Sequence, residues 1–185
     1  MTLIKKYDLL GNKLLLFSLN LISLLLFILF LFLFTLLATR ISKINEFSFS
    51  LSANDLIYLI PFLLTFFVIL SIHELIHGLF SKLFNKEAII KYGFKKGCLY
   101  ATAPGARYSR SKFTWICLAP FILITLLLTL LFSFNLINLF SFILLASMHA
   151  AGCTGDFFFV LIPFKHPGKI LIEDSHNILM IYSNK

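Results

Sequence analysis

The sequence predicts an all-α, multi-pass membrane protein: about four transmembrane helices, with a cytosolic basic loop and a cytosolic tail that each fold into a short β-hairpin. Three observations predict it. Of 185 residues, 59% are hydrophobic and only 13% charged, with a mean hydropathy of +0.96, too little charge to cover a soluble domain of this size. From Leu14 to Thr39 there are 26 residues without a charge, and about 20 apolar residues suffice to cross a ~30 Å hydrocarbon core. The basic residues are also unevenly placed: eight of the sixteen Lys and Arg lie between Ser81 and Lys112, against one acid, Glu87.

The spans follow from the charge-free windows, within one membrane domain covering 1–185. The first covers about 14–38. Lys5, Lys6 and Lys13 precede it, but its apolar stretch exceeds the ~7–15 residues of a cleavable signal, so it reads as an uncleaved anchor. The second covers about 55–80, with Ser52-Ala53-Asn54-Asp55 as a capping box. Between Lys112 and Asp156 lie 43 uncharged positions, His149 aside, enough for two crossings. A turn at Ser133-Phe134-Asn135 gives a third span at about 113–132 and a fourth at about 136–164. Pro61, Pro120 and Gly152 fall inside spans, where kinks are tolerated if neighbouring helices satisfy the freed backbone groups.

In the loop 81–112, residues 88–94 and 98–103 predict two strands around Lys95-Lys96-Gly97, stopped by Pro104-Gly105. In the tail 165–185, two apolar stretches between Lys169 and Ser183 flank Asp174-Ser175-His176-Asn177 and predict a second hairpin. Of Lys and Arg, the loop after the first span holds only Arg40 and Lys43, and the loop after the third holds none. The positive-inside rule therefore places both termini and the basic loop in the cytosol. That placement accounts for the net charge of +8 and leaves no reason to expect a nucleic-acid partner. Three cysteines without a CxxC pair exclude a disulfide framework and a thiolate zinc cluster; Cys98, Cys117 and Cys153 read as small hydrophobes.

The chemistry concentrates in His73-Glu74-Leu75-Ile76-His77. Positions four apart share a helix face, so His73 and His77 can offer two imidazole nitrogens to one metal. Glu74 sits about 100° round the helix, close enough to act as general base toward water. Ionisable residues inside a span are functional by default. A catalytic zinc takes a third protein ligand. Apart from the capping Asp55, Asp156 is the only other acid inside the predicted spans, and no Lys or Arg lies in any of them. Two buried carboxylates without a basic partner would protonate, and a dication resolves that. Asp156 is thus the expected third ligand, with His149, seven residues earlier, the runner-up. His77 is five residues from Lys82 and Asp156 nine from Lys165, so both lie within about 15 Å of the cytosolic helix ends. His166 and His176 read as solvated tail residues. Gly78 would let a neighbour approach the site or simply ease helix packing.

The run His73-Glu74-Leu75-Ile76-His77-Gly78-Leu79-Phe80, Ala119-Pro120 and Gly155-Asp156 resemble the putative zincin peptidases of membranes. The arrangement is also similar to the core of site-2 intramembrane metalloproteases, in which HExxH on one span and an Asp on a later one hold zinc. Site-2 proteases carry an Asn/Pro-rich stretch around that Asp, where this chain reads Cys153-Thr154-Gly155-Asp156-Phe157. The resemblance implies one catalytic Zn2+, peptide-bond hydrolysis, and a use for the loop hairpin in holding an extended substrate by strand addition.

The expected function is a zinc-dependent, membrane-embedded endopeptidase working near the cytosolic side, acting on a peptide or membrane-protein substrate. The alternative is a non-catalytic metal-binding or metal-transport membrane protein. The abundance of Phe, Ile, Lys and Asn suits an A/T-rich genome and hence a bacterial cytoplasmic membrane.

Overall fold

The computed structural model describes residues 2–8, 11–42, 57–95, 98–175 and 178–183. The element order is β1 (Thr2–Asp8), α1 (Lys13–Ser42), α2 (Leu59–Phe84), β2 (Lys91–Lys95), β3 (Cys98–Thr102), β4 (Tyr108–Ser109), α3 (Arg110–Ser133), α4 (Leu139–Gly152), α5 (Thr154–Phe164), β5 (Ile170–Ser175) and β6 (Ile178–Ser183). Four helical stretches, counting α4 and α5 together, are long and apolar enough to cross a membrane. Their outer faces are apolar: Leu25, Ile28 and Phe32 on α1 and Leu75, Leu79 and Leu83 on α2 are all exposed. The capping box expected at Ser52–Asp55 lies outside the described residues.

The turn expected near Ser133 is present. Asn135 adopts a left-handed backbone, φ 57°. Its N–H bonds the Phe132 carbonyl and the Leu136 N–H bonds the Leu131 carbonyl, the pair of bonds that defines a Schellman stop. Asn138 then caps α4 by accepting from the Ser141 N–H at 2.8 Å.

The expected fourth span is not one continuous helix. It breaks at Cys153 between α4 and α5, where Gly152 and Gly155 weaken the helix. The Thr154 hydroxyl donates to the Ala151 carbonyl at 2.6 Å and the Cys153 thiol to the His149 carbonyl at 3.3 Å, so side chains bond carbonyls at the break.

All-α also needs correction. Both expected hairpins form, as β2–β3 and β5–β6, but the second is part of a four-stranded antiparallel sheet of order β1-β6-β5-β4. Strand β1 comes from the segment read as a mere flank of the anchor. The sheet joins the chain before α1, before α3 and after α5, so those helix ends lie on one side. Thr102 Oγ1 donates to the Asp174 carbonyl at 2.8 Å, tying the β2–β3 hairpin to the sheet on that same side.

Two cores result. One joins α1 to α4, centred on Phe34, Ile124, Leu128, Phe142 and Ala146, with the Phe132 and Phe142 rings stacked at 4.7 Å. The other lies beneath the sheet, where Ile170, Ile172, Leu179 and Ile181 meet Phe113, Ile116 and Ile162 from α3 and α5. The site borders this second core, whose Phe113, Ile116, Cys117 and Phe159 line it.

Candidate metal centre and active-site cavity

Helix α2 presents His73, Glu74 and His77 on adjacent turns toward α3 and α5. The two Nε2 atoms of His73 and His77 are 3.0 Å apart. Asp156, in the first turn of α5, reaches both: Oδ2 lies 3.2 Å from His73 Nε2 and Oδ1 3.2 Å from His77 Nε2. The sequence expectation named these three residues, and the fold brings them together.

What holds each imidazole can be traced to the sequence. In α3, Pro120 has no N–H to offer, so the carbonyl four residues earlier, on Ile116, has no helical partner. His77 Nδ1 lies 2.8 Å from that carbonyl. A carbonyl only accepts, so His77 carries its proton on Nδ1 and, when neutral, keeps the Nε2 lone pair for the site. His73 is held differently. Its Nδ1 is 3.1 Å from His149 Nε2 on α4. His149, considered above as a ligand, therefore meets His73 on the side away from Asp156 and stands behind the site. Cys153 is more than a small hydrophobe: its Sγ lies 3.9 Å from both His73 Nδ1 and His149 Nε2, making a second trio of donor atoms around His73. His166 is not simply solvated, since its Nε2 is 3.0 Å from the Tyr7 hydroxyl and its carbonyl accepts from Arg110. His176 and the side chain of Cys98 lie outside the described residues.

His73, Glu74, His77 and Asp156 open into a cavity of about 220 Å³, lined also by Tyr100, Ala101 and Thr102 of β3 and by Asp174 of β5. The Ala101 backbone N–H faces the Glu74 carboxylate, so strand β3 runs directly past it. Tyr108 donates to the Ser81 carbonyl at 3.2 Å, and burial holds its hydroxyl above the ordinary tyrosine range. Burial likewise pushes the Asp174 carboxyl up to about 7, with Asp156 and Glu74 adding to the rise and His77 opposing it. Beside the cavity, Tyr92 of β2 fills the space that a Cβ on Gly78 would need, which is how the hairpin sits so close to α2.

A protein-family model described as "putative zincin peptidase" matches residues 66–171. The chain belongs to this family. The zincin match spans α2 to the start of β5 and so contains the HExxH helix, Pro120, His149 and Asp156, while Asp174 lies beyond it. No curated protein and no solved structure matches the chain.

A zincin implies zinc, and the donor geometry fits one. Zinc bonds of about 2.0–2.1 Å in a tetrahedral arrangement put nitrogen and oxygen donors roughly 3.3 Å apart. Here the two Nε2 atoms are 3.0 Å apart and each lies 3.2 Å from a different oxygen of Asp156, with one donor atom from each residue inside 4.8 Å of the others. The donors are of the right kind too, two imidazole nitrogens and one carboxylate.

Proposed function

We propose that this zincin is a zinc-dependent peptidase embedded in the membrane, with its active site near the cytosolic end of the helical bundle. One observation carries the reading: His73 Nε2, His77 Nε2 and Asp156 converge at zinc-site spacing in a cavity that Glu74 also lines. His73, His77 and Asp156 are the residues that would hold the metal. Bound there, zinc acts as a Lewis acid, polarising the scissile carbonyl and making water acidic enough to lose a proton near neutral pH.

The rest falls to the chain. The Glu74 carboxylate takes the proton from the attacking water and then delivers it to the departing amine nitrogen. The Ile116 carbonyl and His149 keep the two imidazoles turned with Nε2 toward the site. Among the described residues strand β3 has a strand on one side only, β2, and its course along the cavity suits an extended peptide binding by strand addition. The apolar outer faces and the concentration of Lys and Arg at the sheet end support insertion with that end in the cytosol, as in a bacterial cytoplasmic membrane. The substrate class is a peptide or a membrane-protein segment exposed at that surface.

The test is zinc content per molecule of detergent-purified protein, together with cleavage of a fluorogenic peptide library. Wild type should carry about one zinc, lost in His77→Ala and in Asp156→Ala. Glu74→Gln should keep the zinc and lose cleavage. A Glu74→Gln protein that cleaves as well as wild type would rule out the peptidase mechanism. Zinc bound with no cleavage by wild type would favour a metal-binding or metal-transport protein, and the second donor trio of His73, His149 and Cys153 suits that outcome.

A further inference from the structure

Strand β5 sets Ile170, Ile172 and Asp174 at alternate positions and therefore on one face. Ile170 and Ile172 are buried beneath the sheet, and so are Leu179 and Ile181, which pair with Asp174 and Ile172 across the hairpin. An apolar side chain is what this face calls for at position 174. The chain has a carboxylate there instead. Among the described residues, its Oδ1, sealed from solvent, has no hydrogen-bond partner, and no Lys or Arg lines the cavity it borders. The preceding residue shows that the hairpin can satisfy an acid. Glu173 accepts from the Gly105 N–H at 3.0 Å and from Arg107 Nε at 3.3 Å. A carboxylate oxygen sealed off without such a partner disfavours the ionised form, and a cation brought in by a ligand would relieve that cost.

Charge points the same way. Glu74, Asp156 and Asp174 all line the cavity, and a dication held by His73, His77 and Asp156 offsets only part of that negative charge. We propose that Asp174 is a specificity-determining residue that pairs with a cationic side chain, Lys or Arg, of the bound peptide. The inference rests on the peptidase reading of the same site. It suits the location, because the cytosolic flanks of membrane segments are enriched in Lys and Arg and would present such a side chain where the cavity opens.

The experiment uses binding, not turnover. Zinc-loaded Glu74→Gln protein is titrated with acetyl-arginine amide and with acetyl-citrulline amide, a neutral compound of nearly the same shape. The arginine compound should bind about tenfold more tightly or better, as a charge-assisted contact implies. Adding Asp174→Asn should abolish that preference, leave zinc content unchanged and raise the Tm of the ligand-free protein. Equal binding of the two compounds, binding of neither, or a preference that survives Asp174→Asn would overturn the proposal. The two readings fail separately. A wild type that cleaves peptides while Glu74→Gln shows no arginine preference removes the subsite alone. A protein with the preference and no cleavage of any peptide removes the enzyme alone.

Discussion

Helices α1 and α2 look alike in composition, yet they handle their polar side chains in opposite ways. In α1 the hydroxyls of Ser18, Thr35, Thr39 and Ser42 bond carbonyls of their own helix three or four residues back; only Ser23 reaches across, to the Ala151 carbonyl. In α2, Thr65 and Ser71 do the same, but His73 and His77, besides meeting each other, reach α3, α4 and α5. A polar group satisfied within its own helix costs little in an apolar setting and carries no information beyond that helix. One whose partners come from three other helices requires the whole bundle to be assembled, and that is where the chemistry lies.

Breaking the second kind of contact should therefore matter far more than breaking the first. The largest effect is expected from Glu74→Gln, a fall of about 10²–10⁴ in peptide cleavage with zinc content unchanged, measured by fluorogenic hydrolysis beside metal analysis. Next come the groups behind the imidazoles. Replacing Pro120 by Ala restores an N–H that competes with His77 for the Ile116 carbonyl, and His149→Leu removes the partner of His73. Each should weaken zinc binding roughly 10–100-fold in competition with a chelator, and His149→Gln, which keeps an acceptor, should recover part of the loss. If Pro120→Ala binds zinc as tightly as wild type, the freed carbonyl is not what orients His77.

A smaller effect concerns pH. The Asp174 carboxyl, raised to about 7 when folded, sits near 3.9 when unfolded. Its protonation therefore favours the folded state fully below about pH 4, and that contribution disappears as pH rises through 7. Thermal melts of metal-free protein should show wild type losing stability over this window relative to Asp174→Asn, whose amide does not titrate. The groups that face Asp174 electrostatically are Glu74, His77 and Asp156, and they titrate in both proteins, so the difference isolates position 174. The smallest effect is expected in α1, where Thr35→Val should change stability by about 0.5 kcal/mol or less and leave zinc content untouched.

Much of this contrast was legible in the sequence, because the features with a strong period or a strong solvent preference are local. Charge-free windows locate the four long apolar helices, HExxH marks one helix face, and the shortage of acids in those windows singles out Asp156. The turn at Asn135 and both hairpins follow from breakers between apolar stretches. What escaped depends on contacts between distant segments. Strand β1 carries Lys5, Lys6 and Asp8 and is almost wholly exposed, so no hydrophobic alternation announces it; only pairing with β6 makes it a strand. The break at Cys153 lies within an unbroken apolar run whose glycines suit a packed helix equally well. His149 was visible as a histidine in a span, but whether it faces a metal or another imidazole depends on where α4 crosses α2. For Pro120, the need for a neighbour to satisfy the freed backbone was foreseeable, and the identity of that neighbour was not. Asp174 had one faint signal, an acid continuing the alternation of Ile170 and Ile172.

Gly78 gives the molecule a spacer of adjustable thickness. A single hydrogen atom separates α2 from the Tyr92 ring at that point, and β2 carries β3, the strand that borders the cavity, through five consecutive residue pairs. A methyl group at position 78, as in Gly78→Ala, would meet the Tyr92 hydroxyl first and displace this half-exposed side chain, loosening the seat of the hairpin on α2 without altering any residue that lines the cavity. The seating of the hairpin beside the cavity can therefore be tuned, and could drift during evolution, at a position one residue past the second histidine that lies outside the cavity wall.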